Sequence, residues 1–305
     1  MVGLAALRAM LDDRASAALA RSVPPLVRPT LPGLAALMDE IIAPGRGLVM
    51  VMGKGGVGKT TIASAIAVEL ASRGLPVHLS TTDPAAHVAT TLAGEVENLT
   101  ISRIDPAAET KAYVDRMMAV RGASLDEAGR ALLAEDLRSP CYEEVAVFVA
   151  FAHLIGEART RFVVLDTAPT GHTLLLLDAT GSYHRQIVRG DAGPRSGRIV
   201  TPLMRLRDPH YTKILLVTLA ESTPVSEAAE LQADLRRAQI EPYAWVVNNS
   251  LAAAGSDDPC LRQRMTAEIE QIQRVRERHA QRLAIVPWVT KEPVGPESLI
   301  ALSRH

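Results

Sequence analysis

The sequence has little charge imbalance, almost no cysteine and no long apolar run, and each shortage excludes a class. Lys and Arg number 33 against 34 Asp and Glu, a formal net charge of −1. No global field therefore draws the chain to nucleic acid or an anionic membrane, and any partner must be recognised locally. Two cysteines, Cys141 and Cys260, stand far apart in a 305-residue chain, which argues against a disulfide scaffold and for a reducing compartment. The best membrane-span candidate, Ile214 to Ala220, has the length of a strand and falls far short of the roughly 20 residues that cross a bilayer. Near the N-terminus Leu4, Leu7 and Leu11 are interrupted by Arg8, Asp12, Asp13 and Arg14, too soon for a signal-peptide core, and read as a short amphipathic helix. No internal repeat is visible. What is present is a hydrophobic content of 48%, enough for a full core in one large α/β domain or two smaller ones.

Pro24, Pro25, Pro29 and Pro32 mark a linker, because proline removes backbone donors and favours extended chain. The expected organisation is an N-terminal helix and proline-rich linker over 1–30, then one compact domain over 31–305. In that domain short apolar runs recur at 48–52, 77–80, 162–167, 213–218, 243–248 and 283–286, separated by helical patterns. Strands apolar on both faces and alternating with helices predict a mostly parallel, doubly wound sheet. The span of about 106–161 is rich in Ala, Glu, Arg and Leu without a strand-like run and reads as a helical insertion. Residues 189–198, with three glycines and a proline, read as a mobile loop.

The chemistry is carried first by GKGGVGKT at 53–60, directly after an apolar strand. It fits the phosphate-loop pattern G-x-x-x-x-G-K-[ST], whose glycines let backbone N–H groups curl around phosphate oxygens while the next helix adds the positive end of its dipole. Gly53, Gly55, Gly56, Val57, Gly58, Lys59, Thr60 and Thr61 form the expected nucleotide-binding set. Lys59 is placed to reach the β- and γ-phosphates and Thr60 to offer its hydroxyl to Mg²⁺. Ile62, Ile66 and Leu70 share one face of the helix, and Gly74 stands where a C-terminal cap belongs. Asp166, ending the run RFVVLD, is where such an enzyme needs a carboxylate for the Mg²⁺ shell. Asp83, in TTDPAAH, is suited to orient an attacking water, the competing reading being a turn or capping aspartate before Pro84.

The loop carries a second lysine, Lys54, that the general pattern does not ask for. GKGGVGKT, TTDPAAH and DTAPTGHTLLLLDATGSYH, together with RSPCYEEVAVF, VTLAESTPV, WVVNNSL and IVPW, resemble the arsenical pump-driving ATPases, most closely the C-terminal half of the duplicated members. The resemblance covers nearly everything from Leu31 onward and implies a P-loop NTPase fold with a deviant Walker A motif. It implies that Lys54 reaches across a dimer or pseudo-dimer to the nucleotide of the other half, which makes Lys54, Lys59 and Asp83 the catalytic set. It also implies that Asn248 reads the adenine edge, that Pro287 and Trp288 form a wall against the ring, and that Glu221 lines the same pocket.

The same resemblance implies activation by trivalent arsenic or antimony through Cys141 and His172, a soft thiolate being suited to a thiophilic ion. It further implies ATP hydrolysis that drives a membrane arsenite efflux carrier from the cytoplasmic face of the cell membrane. The chain departs from the duplicated members in having one phosphate loop, so a homodimer or a complementary N-terminal half is expected to complete it. The competing reading is an ATPase targeting factor for tail-anchored membrane proteins. Against it, Cys260, which follows Asp257, Asp258 and Pro259 in an expected surface loop, is followed by Leu261, Arg262 and Gln263, so the CxxC zinc pair of many such factors is absent, and the insertion offers chiefly Met117 and Met118 as flexible apolar surface. A DNA- or membrane-positioning ATPase lacks its basic or amphipathic anchor here.

Overall fold

The computed structural model describes residues 31–83, 88–167 and 200–305. The expected helix and linker over 1–30 and the loop over 189–198 lie outside them. The described chain opens with α1 (Leu34–Ile42), in which Leu34, Leu37, Met38 and Ile41 make one buried stripe at helical spacing. β1 (Gly47–Met52), the 53–58 loop and α2 (Lys59–Ser72) follow, then β2 (Val77–Thr81), α3 (Val88–Leu92) and β3 (Leu99–Arg103). Three helices, α4 (Pro106–Val120), α5 (Glu127–Asp136) and α6 (Pro140–Glu157), stand between β3 and β4 (Phe162–Asp166). α7 (Pro202–Arg207), β5 (Thr212–Leu219), α8 (Ser222–Arg237), β6 (Ala244–Ser250), α9 (Leu251–Ala254), α10 (Pro259–Arg278), β7 (Leu283–Pro287) and α11 (Pro296–Ser303) complete it.

Seven strands form one sheet in the order β3-β2-β4-β1-β5-β6-β7. Every pairing in it is parallel. β1, at the centre, is buried at all six positions, as a strand covered on both faces must be. Alternate residues feed two cores. Val49, Val51, Val164 and Leu215 pack with α1, α2 and α11 on one face, while Leu48, Met50, Val163 and Leu216 pack with α6, α8 and α10 on the other. Six strands lie where the apolar runs predict them. The seventh, β3, was not foreseen because it is an edge strand with the sequence LTISR, and no residue in it is fully buried, so a search for two-sided apolar runs passes over it.

α2 holds the loop rigid. It is buried nearly all round, with Ile62, Ile66 and Leu70 fully inaccessible, and its chain leaves through Gly74 at φ +78°, a left-handed exit that suits glycine. At its C-terminal end the buried Glu69 accepts hydrogen bonds from Arg73 Nε (2.8 Å) and from Arg304 Nε just beyond α11 (3.0 Å), so α11 is tied to α2 by charge as well as packing. At α10 the Asp258-Pro259 pair reads as a surface loop but is a helix start. Asp258 Oδ1 accepts the Leu261 N–H at 3.1 Å, proline fits the first helical position, and Cys260 therefore stands in the first turn of a helix. Truncation of Ile66 to Ala removes buried volume from the helix that carries the loop, and is expected to cost about 2–5 kcal/mol in urea unfolding; a loss under about 1 kcal/mol would mean that α2 is not the keystone of this core.

Candidate nucleotide site

The C-terminal ends of the parallel strands bring the predicted residues to one edge, the edge at which open α/β sheets bind ligands. Register sets the arrangement. Val51 of β1 and Thr81 of β2 both pair with Asp166 of β4, so the end of β4 is flanked on both sides, and the loop begins two residues beyond Val51. Two glycines are required by space. A Cβ on Gly53 would lie 2.3 Å from the Val217 carbonyl oxygen, and one on Gly58 (φ +87°) would lie 2.2 Å from Asn248 Nδ2. A Cβ on Gly55 or Gly56 would meet nothing within 4 Å, which leaves the mouth of the loop open where an anion would enter.

The centre of the site is Asp166, fully buried. Its Oδ2 accepts hydrogen bonds from Thr60 Oγ1 at 2.7 Å and Thr81 Oγ1 at 3.2 Å, while its Oδ1 has no partner among the described residues. Burial raises the pKa of this carboxyl above its ordinary value, against the pull of the two hydroxyls and of Lys59. A hard divalent cation takes oxygen donors, and a buried carboxylate with a spare oxygen beside a threonine hydroxyl is the donor set that Mg²⁺ uses next to phosphates. Lys59 is also buried, donates to the Lys54 carbonyl at 3.0 Å, and has its pKa lowered by burial against the attraction of Asp166 and Asp83. Asp83 is half-buried just past β2, and its N–H donates to Thr81 Oγ1 at 3.1 Å. Thr81 thus stands between the two carboxylate residues, a role that only its place in the strand register discloses.

Asn248 ends up buried, with its Nδ2 donating to the Val57 carbonyl at 2.9 Å. It braces the loop. The next residue, Asn249, adopts φ +53° at an irregularity in β6 and lines a cavity of about 370 Å³ with Glu221, Arg264, Glu268 and Trp288. Glu268 is fixed by accepting from Ser250 Oγ at 3.0 Å and the Ala252 N–H at 3.1 Å, and Arg264 pairs with Glu221 at 3.2 Å. Pro287 ends β7, and Trp288 donates its N–H to the Ser250 carbonyl at 2.9 Å. The loop and the cavity therefore meet through two consecutive asparagines. Asn249, Arg264 and Glu268 were not foreseen, since lone polar residues at a strand end or on a helix carry no motif.

Thr61 is half-buried in the first turn of α2, and Val57 is buried under the loop. Lys54, by contrast, is exposed and paired with Glu227. Cys141 is a free, exposed thiol in the first turn of α6. His172 lies outside the described residues, so the expected pairing of these two is a matter of sequence alone. Among the described residues no helix is long and apolar enough to cross a membrane.

A parallel sheet with a glycine-rich loop between its central strand and a buried helix, and a carboxylate at the end of the neighbouring strand, defines a P-loop nucleotide-binding protein. Residues 47–189 and 197–305 match the anion-transporting ATPase family, and the chain belongs to that family. It is 54% identical over 303 residues to an arsenical pump-driving ATPase of Escherichia coli, covering 99% of this chain and 52% of that protein. The same identity links it over 299 residues to an arsenical pump-driving ATPase of Acidiphilium multivorum, covering 98% and 51%. A third relative, from Aquifex aeolicus and again named for an arsenical pump-driving ATPase, is 31% identical with 83% of this chain and 96% of that protein covered. The chain spans about half the length of the first two.

The raised pKa of Asp166 gives a test without nucleotide. The folded chain holds this proton more tightly than the unfolded chain, so the group's contribution to stability is greatest below its ordinary value of 3.8 and is lost as pH rises through the folded value. Above the folded value the contribution is gone and the site carries a buried charge. Asp166→Asn keeps both hydroxyl contacts without a buried charge and is expected to stabilise the nucleotide-free protein by on the order of 1 kcal/mol, about 2 °C in Tm, with the gain vanishing near pH 3. A lower Tm at pH 7 would place the stabilising partner of Asp166 within the protein itself.

Proposed function

We propose that this chain is one nucleotide-hydrolysing half of an arsenical pump-driving ATPase, stimulated by trivalent arsenic or antimony and coupled to a membrane efflux carrier. The observation that carries the hydrolytic part is the Thr60 to Asp166 contact beneath an open glycine loop with Lys59 and Asp83 beside it. The metalloid and the carrier rest on the names of the relatives. In this reading the backbone of 53–58 and Lys59 cradle the phosphates, and Thr60 and Asp166 hold Mg²⁺. Bound there, the ion would neutralise charge on the β- and γ-phosphates. Asp83 orients the attacking water and accepts its proton in the transition state. Asn248, already fixed to the loop, presents its remaining amide oxygen to the adenine edge, and Pro287 and Trp288 wall the ring.

Lys54 acts in trans, on the nucleotide of a second half. That half is either another copy or a complementary N-terminal half, and the Aquifex relative, nearly all of whose length is covered by one such unit, favours the copy. Cys141 supplies the soft ligand for the metalloid, joined by His172 and by ligands from the second half. The chain works at the cytoplasmic face of the cell membrane, held there by its carrier. A tail-anchor targeting factor is the less favoured reading. Such a client needs a broad apolar face, whereas in α4 Met117 and Met118 pack against Tyr113 and Leu137, and Val120, Leu125 and Leu132 are the exposed large hydrophobics of this region among the described residues.

Two measurements test the reading. Asp83→Asn is expected to bind ATP within about threefold of the parent while turnover falls roughly 10²–10⁴-fold, because positioning water is a transition-state effect; loss of binding with normal turnover per bound ATP contradicts the assigned role. With antimonite added, Cys141→Ser is expected to keep basal hydrolysis and lose stimulation, since serine retains size without the thiolate. Undiminished stimulation in that variant removes Cys141 from the metalloid site.

A further inference from the structure

Lys59 and Lys54 stand five residues apart in one loop and are treated in opposite ways by the fold. Lys59 is 6% exposed and anchored on a backbone carbonyl. The Lys54 side chain is 59% exposed, yet its Nζ lies 3.0 Å from Glu227 Oε1, whose side chain is 30% exposed. Glu227 occupies the second turn of α8, between Val225 and Ala228, both buried against the sheet. Its carboxylate is therefore carried on a fixed element, while the ammonium rides on a flexible four-carbon stem at a loop whose Gly55 and Gly56 are unobstructed.

We infer that Glu227 is a holding partner for Lys54. It keeps the ammonium on its own chain until a second half brings a nucleotide within reach, and then yields it to the phosphates. This rests on the trans-acting reading of Lys54 given above. The magnitudes suit an exchange. An exposed ion pair biases an equilibrium by about fivefold or less, so it orders the side chain without locking it. A polyphosphate is a more highly charged acceptor than one carboxylate and takes the ammonium over when it arrives. In a two-fold symmetric pair each chain has its own contact to break, so the biases multiply, and the association constant is held down by up to about twenty-five-fold. Glu227 is a positioning residue; it touches no reacting atom.

Glu227→Gln, nearly isosteric and on a helix surface, removes the charge without a packing change. In the nucleotide-free chain, at a concentration where it is monomeric, brief acetylation followed by mass spectrometry reads each lysine separately. Labelling at Lys54 is expected to rise about two- to fivefold in the variant, while the exposed Lys291 is unchanged. In sedimentation with Mg²⁺ and a non-hydrolysable ATP analogue, Glu227→Gln is expected to dimerise at a lower concentration, by up to about twenty-five-fold. In a Lys54→Ala background the same substitution is expected to do nothing. Unchanged Lys54 labelling overturns the inference, as does faster labelling without tighter association when Lys54→Ala itself weakens association. If Lys54→Ala leaves nucleotide-dependent association at the parent level, the trans reading fails and this inference with it.

Discussion

Asp166 is a carboxylate placed where water cannot reach it, and the architecture of the site follows from the need to make that tolerable. Taking an ionised carboxyl out of water costs several kcal/mol, and among the described residues two hydroxyls donate to it, both to one oxygen. Thr60 comes from the helix after β1 and Thr81 from the end of β2, so this one group knits three segments that are distant in sequence. The remaining oxygen is the residue of the account. A site that balanced Asp166 completely would be more stable and would have nothing left to offer a cation.

The two lysines of the loop divide the electrostatic work by burial. A buried ammonium is poorly solvated and fixed in place, which suits Lys59 to a phosphate bound by its own chain. An exposed ammonium retains its hydration and its reach, which suits Lys54 to a target that arrives from outside. The same principle separates their partners: Lys59 rests on a carbonyl that cannot compete with phosphate for charge, whereas Lys54 rests on a full carboxylate, strong enough to orient it and weak enough, at the surface, to release it.

Much of this was legible in the sequence, for physical reasons that can be named. Strands buried on both faces announce themselves as apolar runs, so the six interior or well-covered strands were visible and the half-exposed β3 was not. The loop was visible through its glycine pattern, and at Gly53 and Gly58 close approaches admit nothing larger. Asp166 was found from its position at a strand end. Thr81 and Glu227 were not, because each acquires its role only through register or through the packing of α8, and a lone threonine or glutamate has no pattern of its own. Asp258-Pro259 misled because a capping aspartate before an N1 proline and a turn are written with the same two letters.

The helix that carries Cys141 also bears on how a metalloid signal would reach the nucleotide. α6 is a single 18-residue helix, with Cys141 in its first turn and Glu157 at its last. Glu157 is held from two sides, by His78 of β2 at 2.8 Å and by Arg161 at the start of β4. Burial alone would raise its pKa, but these partners outweigh burial and hold it below the ordinary carboxylate value, so it meets the Arg161 guanidinium as a carboxylate. β2 leads on to Thr81 and Asp83, and β4 to Asp166. A rigid helix clamped to the beginnings of the two strands whose ends carry Thr81 and Asp166 has few ways to move without moving them. If Cys141 holds the metalloid as proposed, α6 offers a hydrogen-bonded connection from it to the starts of β2 and β4.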